Sequence, residues 1–199
     1  MKKLIILSIV LVSAVSVRAQ DGFTALHYDV SFGLGNTSGY ISKPSFRGMG
    51  FDYQKMVNAN IGIGLSVAWH TFYEKRNYDS YSFDDGVTTL TGVQFRYLNT
   101  VPMHITTNFY SGEEGDEVRA FFGLGIGTFY AEKKTVMGQW AVTNDAWQFS
   151  LQPQLGVLCG LGSDANVFLA GKFTTPFESE SLNSYPYFSM NVGLAWMIH

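Results

Sequence analysis

The sequence predicts an all-β chain: an eight-stranded antiparallel up-and-down transmembrane β-barrel preceded by a cleaved signal peptide. Three observations carry this reading. Eight stretches alternate apolar and polar residues with a period of two. The polar face of those stretches is small and mostly neutral. An N-terminal leader marks the chain for export.

The leader is residues 1–19. Lys2 and Lys3 form its basic start, residues 4–17 its apolar run, and Val17 and Ala19 the small side chains read at cleavage. The run is shorter than the ~20 residues of a spanning helix. Gln20 is the expected first residue of the mature domain, residues 20–199, and N-terminal sequencing of exported protein should start there. Those 180 residues carry 10 Lys+Arg against 16 Asp+Glu, a net charge of −6. So little cationic charge excludes a nucleic-acid binder, which needs clustered Lys and Arg. With 31 aromatic side chains, disorder is excluded too. The single cysteine, Cys159, rules out a disulfide framework and any CxxC motif.

The eight segments follow in order. Leu26, Tyr28, Val30, Phe32 and Leu34 alternate with His27, Asp29, Ser31 and Gly33. Met49, Phe51 and Tyr53 alternate with Gly48, Gly50, Asp52 and Gln54. Ile61, Ile63, Leu65, Val67 and Trp69 stand against Gly62, Gly64, Ser66, Ala68 and His70. In the fourth, Met103, Ile105, Thr107 and Phe109 oppose His104, Thr106 and Asn108. In the fifth, Phe122, Leu124, Ile126 and Tyr130 oppose Gly123, Gly125 and Gly127. The sixth sets Trp147, Phe149, Leu151, Leu155 and Val157 against Gln148, Ser150, Gln152, Gln154 and Gly156. The seventh is weaker, with Val167, Leu169 and Phe173 against Asn166, Ala170 and Lys172. In the last, Phe188, Met190, Val192, Leu194, Trp196 and Ile198 oppose Ser189, Asn191, Gly193 and Ala195.

The connections after segments two, four and six are short, at residues 55–60, 111–117 and 162–165. Those after one, three, five and seven are longer, as an up-and-down membrane barrel requires. Asp84-Asp85-Gly86 is a turn signal with nearly equal arms, residues 61–83 and 87–110. A crossing needs only about 9–11 residues per strand, so this hairpin should project well beyond the membrane. Its upper part mixes Tyr, Phe, Thr and charges, which suits a contact surface.

The apolar face should point into lipid. A soluble barrel turns Lys and Glu outward, whereas here the polar face is Gly, Ser, Thr, Gln and Asn with isolated charges at Asp29, Asp52, Arg96, Arg119 and Lys172. That suits a narrow interior. Tyr28, Tyr53, Trp69, Tyr130, Trp147 and Trp196 lie near segment ends, where amphipathic rings favour the membrane interface.

Residues 21–199 resemble the small outer-membrane β-barrels of Gram-negative bacteria, the OmpA/OmpX/OmpW-like group. The resemblance is carried by the Gly-alternating stretch at residues 119–127 and by the last segment, residues 188–199. It implies an outer-membrane location, contact with membrane lipids and lipopolysaccharide, insertion by the outer-membrane assembly machinery, and a monomer. The chain departs from the group at its end. The last outward residue is Ile198, where these barrels often carry an aromatic.

The histidines at 27, 70, 104 and 199 share the polar face. They lack HxH or HExxH spacing, so no metal-binding residue is expected. Ser66 precedes His70 by four residues, ~13 Å along one strand, too far for a nucleophile and its base. The histidines are expected to fill the lumen and bond Asp29, Asp52 or Gln154. The stretch from Gly123 to Gly127 superficially resembles a dinucleotide loop, but its period of two points to close packing in the lumen. Cys159 and Pro153 face outward by parity, and Pro153 should mark a bulge or kink. No catalytic or cofactor-binding residue and no cofactor are expected. The expected function is a non-enzymatic barrel with a mostly filled lumen and a structural, surface-interaction or narrow-passage role. An extracellular partner would be met through the hairpin of segments three and four. A lipid-modifying barrel enzyme and a soluble periplasmic lipocalin-like carrier are the alternatives.

Overall fold

A computed structural model describes residues 22–83, 88–112, 116–162 and 165–198. The expected leader and its cleavage site, the Asp84-Asp85-Gly86 turn and His199 lie outside the described residues. Eight strands form one closed antiparallel ring in sequence order. They are β1 (Gly22–Gly33), β2 (Gly48–Asn58), β3 (Ile61–Phe83), β4 (Thr88–Tyr110), β5 (Val118–Met137), β6 (Trp140–Gly160), β7 (Ala165–Pro176) and β8 (Tyr187–Ile198). Closure is made by β1 and β8, which pair from Gly22↔Ile198 to Gly33↔Tyr187. One short helix, α1 (Asn36–Tyr40), sits in the β1–β2 connection.

The outward parity is the one the alternation predicts. Leu26, Met49, Leu65, Ile105, Phe122, Leu155 and Val192 are exposed, while His27, Asp52, Ser66, His104 and Gln152 are buried. A continuous apolar belt on the outside and polar residues inside is stable only with hydrocarbon around it. The soluble-carrier alternative is therefore overturned by the wall itself.

Strand lengths fall in two groups. The strands β1, β2, β7 and β8 have 11 or 12 residues. The strands β3 to β6 have 20 to 23. The described arms of the β3–β4 hairpin pair out to Phe83↔Thr88, as the long-hairpin reading expects. The connection after β5 departs from expectation. It is a two-residue turn at Gly138-Gln139 with paired arms as far as Met137↔Trp140. Gly138 has φ 58°, a left-handed conformation that glycine adopts without cost. What read as a long loop is thus a second projecting ribbon. Residues 55–58, read as part of a turn, continue β2, with a register shift between Met56 and Asn58. Pro153 marks no bulge. The β6–β7 ladder keeps one register from Leu151↔Thr175 to Gln154↔Lys172 and is interrupted over Gln152 and Pro153. An imide nitrogen cannot donate to a neighbouring strand.

Inside, the barrel is filled in three layers. Phe23, Met56, Tyr110, Phe121, Leu158 and Phe168 pack together at the short-turn end. Phe72, Leu98, Phe129 and Tyr187 pack at the long-strand end with Ile41, Leu182 and Tyr185 from the connections. Polar side chains lie between these two groups on every strand but β5, whose inward positions there are Gly123, Gly125 and Gly127. Large apolar residues on the inward face were not expected from a lumen read as small and neutral. They are what seals it.

Candidate functional site

The middle layer centres on a buried charged chain. Lys172 from β7 donates to both Asp52 carboxylate oxygens, at 2.7 and 2.9 Å, and to Ser66 Oγ at 3.1 Å. His27 stands between two carboxylates, with Nδ1 2.5 Å from Asp29 and Nε2 3.5 Å from Asp52. The other Asp29 oxygen lies 3.1 Å from His70 Nε2, and His70 Nδ1 meets the Tyr187 hydroxyl at 3.1 Å. Asn191 donates to Asp29 at 2.5 Å. Glycine makes the room. A Cβ on Gly48 would sit 2.8 Å from a His70 ring carbon and from Asp29 Cβ, and one on Gly50 would overlap the His27 ring. Burying such charges is tolerated because each has a charged or hydrogen-bonding partner.

The sequence expectations meet this geometry unevenly. His27 and His70 do fill the lumen and bond aspartates. His104 instead meets Ser150 Oγ at 2.7 Å, while Gln154 donates to Asn108 at 2.6 Å. The strands that carry them fix these partners, since His104 lies opposite Gly127, and Ser150 is opposite that same glycine on β6. Gly123 and Gly127 lie within β5 against Asn108 and His104, which is strand packing and no phosphate loop. Cys159 is half-buried on the outward parity of β6.

Among the described residues serine and histidine assemble no hydrolase set. Ser66 is bonded to Lys172 rather than to His70. The pair His104–Ser150 is within reach, but no carboxylate holds His104 Nδ1, which has no partner among the described residues. The pair lies between the two buried apolar layers. Among the described residues no group of three or more His, Cys, Asp or Glu could hold a metal ion. Arg119 donates to Ala59 O at 2.7 Å at the short-turn end. Arg96 donates to Tyr40 O at 3.0 Å at the other. The two inward arginines thus tie the connections onto the plugs.

Above the plug at the long-strand end the strands β3 to β6 continue as an open four-stranded sheet. Among the described residues no further strand pairs with its flanks, because β2 pairs with β3 only up to Gly48↔His70 and β7 pairs with β6 only up to Ser150↔Pro176, and the connections touch only its base, through Ser42 N to Glu74 Oε2 at 2.6 Å and Gln148 to Leu182 O at 2.9 Å. At its base Tyr40 receives Arg96 at 5.1 Å and Lys133 at 4.7 Å over its ring. Tyr40 donates its hydroxyl proton to Lys134 O at 2.9 Å. Burial raises its pKa above the ordinary phenol value, which keeps that proton in place. Higher on the sheet Trp140 and Val142 are 69% and 51% exposed.

No family model and no curated protein matches the sequence. Solved structures do match the fold. Ail, the attachment invasion locus protein of Yersinia pestis, is 12% identical with a TM-score of 0.56, covering 91% of this chain and 100% of that one. The outer membrane protein OprG of Pseudomonas aeruginosa is 13% identical with a TM-score of 0.55, covering 92% and 97%. The N-terminal β-barrel domain of Pseudomonas aeruginosa OprF is 7% identical with a TM-score of 0.51, covering 89% and 99%. The closed antiparallel ring of eight strands agrees with these likenesses: the chain has the fold of the small eight-stranded outer-membrane β-barrels.

Proposed function

We propose that this is a non-enzymatic integral outer-membrane protein that works by surface recognition through its projecting sheet, with the long-strand end facing outside. The observation that carries the reading is the asymmetry of the strands. A crossing takes about 9–11 residues, and β3 to β6 have 20 to 23. Ten or so residues per strand therefore stand in water above a sealed lumen. A diffusion pore would keep its mouth open, and a lipid-modifying enzyme would need its reacting groups at an accessible rim. Insertion by the assembly machinery, contact with lipopolysaccharide and a monomeric state belong to the same reading.

The two sides of the sheet differ in how they would meet a partner. The β3 side carries Glu74, Lys75, Arg76 and Asp79 and a register shift between Arg76 and Asp79. Charges and bulges of this kind discourage strand pairing. The β6 side from Trp140 to Asn144 carries no charge. An extended segment of a partner can add to it as a further strand, with main-chain hydrogen bonds giving affinity and Trp140 and Val142 giving side-chain contact.

Two measurements test this. The mature chain should need detergent for extraction and its gel band should shift on boiling, because a ring without free edges across the membrane resists SDS until heated. Recovery as a soluble protein would overturn the membrane assignment. Replacing residues 74–96 and 134–143 by short turns leaves Tyr73↔Tyr97 and Lys133↔Asn144 to close the hairpins. That variant should keep the heat shift and lose surface adhesion or partner binding. Undiminished binding by a folded truncated barrel would move the function off the sheet.

A further inference from the structure

We propose that the free edge of β6 selects its partner by charge. It takes an extended antiparallel segment in which a basic residue is followed directly by an acidic one and then by apolar residues at alternate positions. The inference rests on the strand-addition reading above and names the chemistry of the partner.

The backbone decides which groups are free. Phe177 N donates to Phe149 O, so Phe149 turns its main-chain groups to the β7 side of the strand. That direction alternates from residue to residue. Ala141, Thr143, Asp145 and Trp147 therefore turn theirs the same way. The two-residue turn agrees, since the pair Met137↔Trp140 closes it and Ala141 is the next residue, facing away from β5. Among the described residues no main-chain group pairs with this side of β6 above Phe149. An arriving segment gains its hydrogen bonds at these four residues, and antiparallel pairing is the more stable per residue.

Side chains decide which segment fits. On the inner face of the sheet Trp140, Val142 and Asn144 are exposed in a row, with Lys133 opposite Asn144. Lys133 Nζ lies 4.7 Å from the Tyr40 ring and 5.9 Å from the Tyr185 ring. On the outer face Asp145 is exposed and stands opposite Glu132. Like charges placed directly opposite each other repel. Their neighbours are neutral: the Tyr130 hydroxyl beside Asp145, and Asn99, which donates to Glu132 at 3.4 Å. Among the described residues Lys133, Glu132 and Asp145 have no oppositely charged group within ion-pair distance.

Charge complementarity follows from the register. The partner residue opposite Asp145 points to the outer face, its Cβ about 5 Å from that of Asp145. A lysine or arginine there meets Asp145 and relieves its repulsion with Glu132. In an antiparallel segment the next residue lies opposite Asn144 and points to the inner face. A strand spacing of about 4.8 Å puts it about 10 Å from β5. A glutamate and the four-carbon stem of Lys133 span that distance together, across the short Asn144. Two and four residues further on, the segment meets Val142 and Trp140, which favour apolar side chains. A second copy of the chain does not supply this order. In the same membrane its β6 runs parallel. Its β3 runs antiparallel, but with Lys75 opposite Asp145 the next residue is Arg76, which falls beside Lys133.

The test uses the refolded mature chain in neutral detergent and two labelled peptides of one composition, acetyl-VTKETVTF-amide and acetyl-VTEKTVTF-amide, with fluorescence anisotropy as readout. The first should bind with its lysine opposite Asp145. The second should bind on the order of tenfold more weakly, because the exchange turns two attractive cross-strand pairs into repulsive ones. K133Q/D145N should remove the preference. N-methylation of the peptide threonine opposite Thr143 should abolish binding, whereas N-methylation of the valine opposite Val142, whose N–H points away from β6, should not. Equal binding of the two peptides, or a preference kept by K133Q/D145N, overturns the charge code and leaves strand addition standing. Binding that survives N-methylation opposite Thr143 overturns strand addition with it. So does the absence of binding by both peptides to a chain that keeps its heat shift. If K133Q/D145N does not refold, the salt dependence of the unaltered chain decides, and a preference unchanged at high salt overturns the code. A dimer that the first peptide dissociates would give the edge to a second copy and overturn the proposal.

Discussion

Lys172→Met should lower the unfolding free energy of the reconstituted barrel by about 3–5 kcal/mol, the usual cost of stranding one member of a buried ion pair. Lys172 and Asp52 are 2% and 5% exposed, and the ammonium holds both carboxylate oxygens. Without it the Asp52 carboxylate keeps only His27, whose Nε2 is 3.5 Å away and whose other nitrogen already serves Asp29. Buried apolar layers lie on either side of the pair, so solvent is expected not to take over. A second variant isolates the cause. Lys172→Met with Asp52→Asn removes the stranded charge and should recover most of the loss, since an amide costs far less to bury than a carboxylate. Lys75→Met, a lysine on the exposed outer face, should change stability by less than about 0.5 kcal/mol. Denaturant titration in lipid vesicles reads all three. A single-variant cost below about 1 kcal/mol would mean that the lumen is wet at this level. Failure of the double variant to recover would mean that Lys172 acts by packing along its stem rather than by charge.

The parity of the wall was legible because a strand offers only two directions for a side chain. Each of the outward apolar positions read from the alternation is exposed or half-exposed where the structure describes it, from Leu26 to Ile198. The plugs were less legible, yet they left a trace. Phe72-Tyr73, Phe121-Phe122, Phe129-Tyr130, Phe168-Leu169 and Tyr187-Phe188 are apolar doublets. A doublet puts one large side chain on each face, so it breaks the alternation where the lumen is closed. The β5–β6 ribbon had a signal as well, in the Gly138-Gln139 pair between two arms rich in Thr, Val and Ala. Those arms carry Lys133, Lys134, Asn144 and Asp145, and they lack the clean apolar–polar alternation of the crossing below them. The inward charges and a histidine–aspartate contact were legible, as His27 and Asp29 share one face of β1, but the partners of Lys172 were not. Lys172 lies 120 residues from Asp52 and 106 from Ser66. Which of the inward residues share a level depends on the stagger between strands, and a period of two carries no information about stagger.

Leu124→Arg should cost about 2–4 kcal/mol, and Val142→Arg less than about 0.5 kcal/mol, although the two side chains are almost equally exposed at 44% and 51%. Area alone would assign them the same penalty. The difference lies in the medium. Leu124 sits outward between Gly123 and Gly125 in the middle of the β5 crossing, opposite Thr107 and Pro153. A guanidinium there must be dragged into hydrocarbon or must snorkel past Phe122 or Ile126 toward a headgroup. Val142 lies on the projecting part of β6, opposite Thr135 and beyond the Trp147 rim. There an arginine replaces a modestly buried methyl pair and is fully hydrated. The unfolding free energies of both variants in vesicles, against the unaltered chain, settle the comparison. Equal tolerance would place Leu124 in water and dissolve the lipid belt. Equal damage would place the β6 arm against the membrane or a partner chain, and the sheet would then be lying down rather than standing above the surface. The predicted split, large at Leu124 and negligible at Val142, follows only when the long strands cross the bilayer once and then leave it.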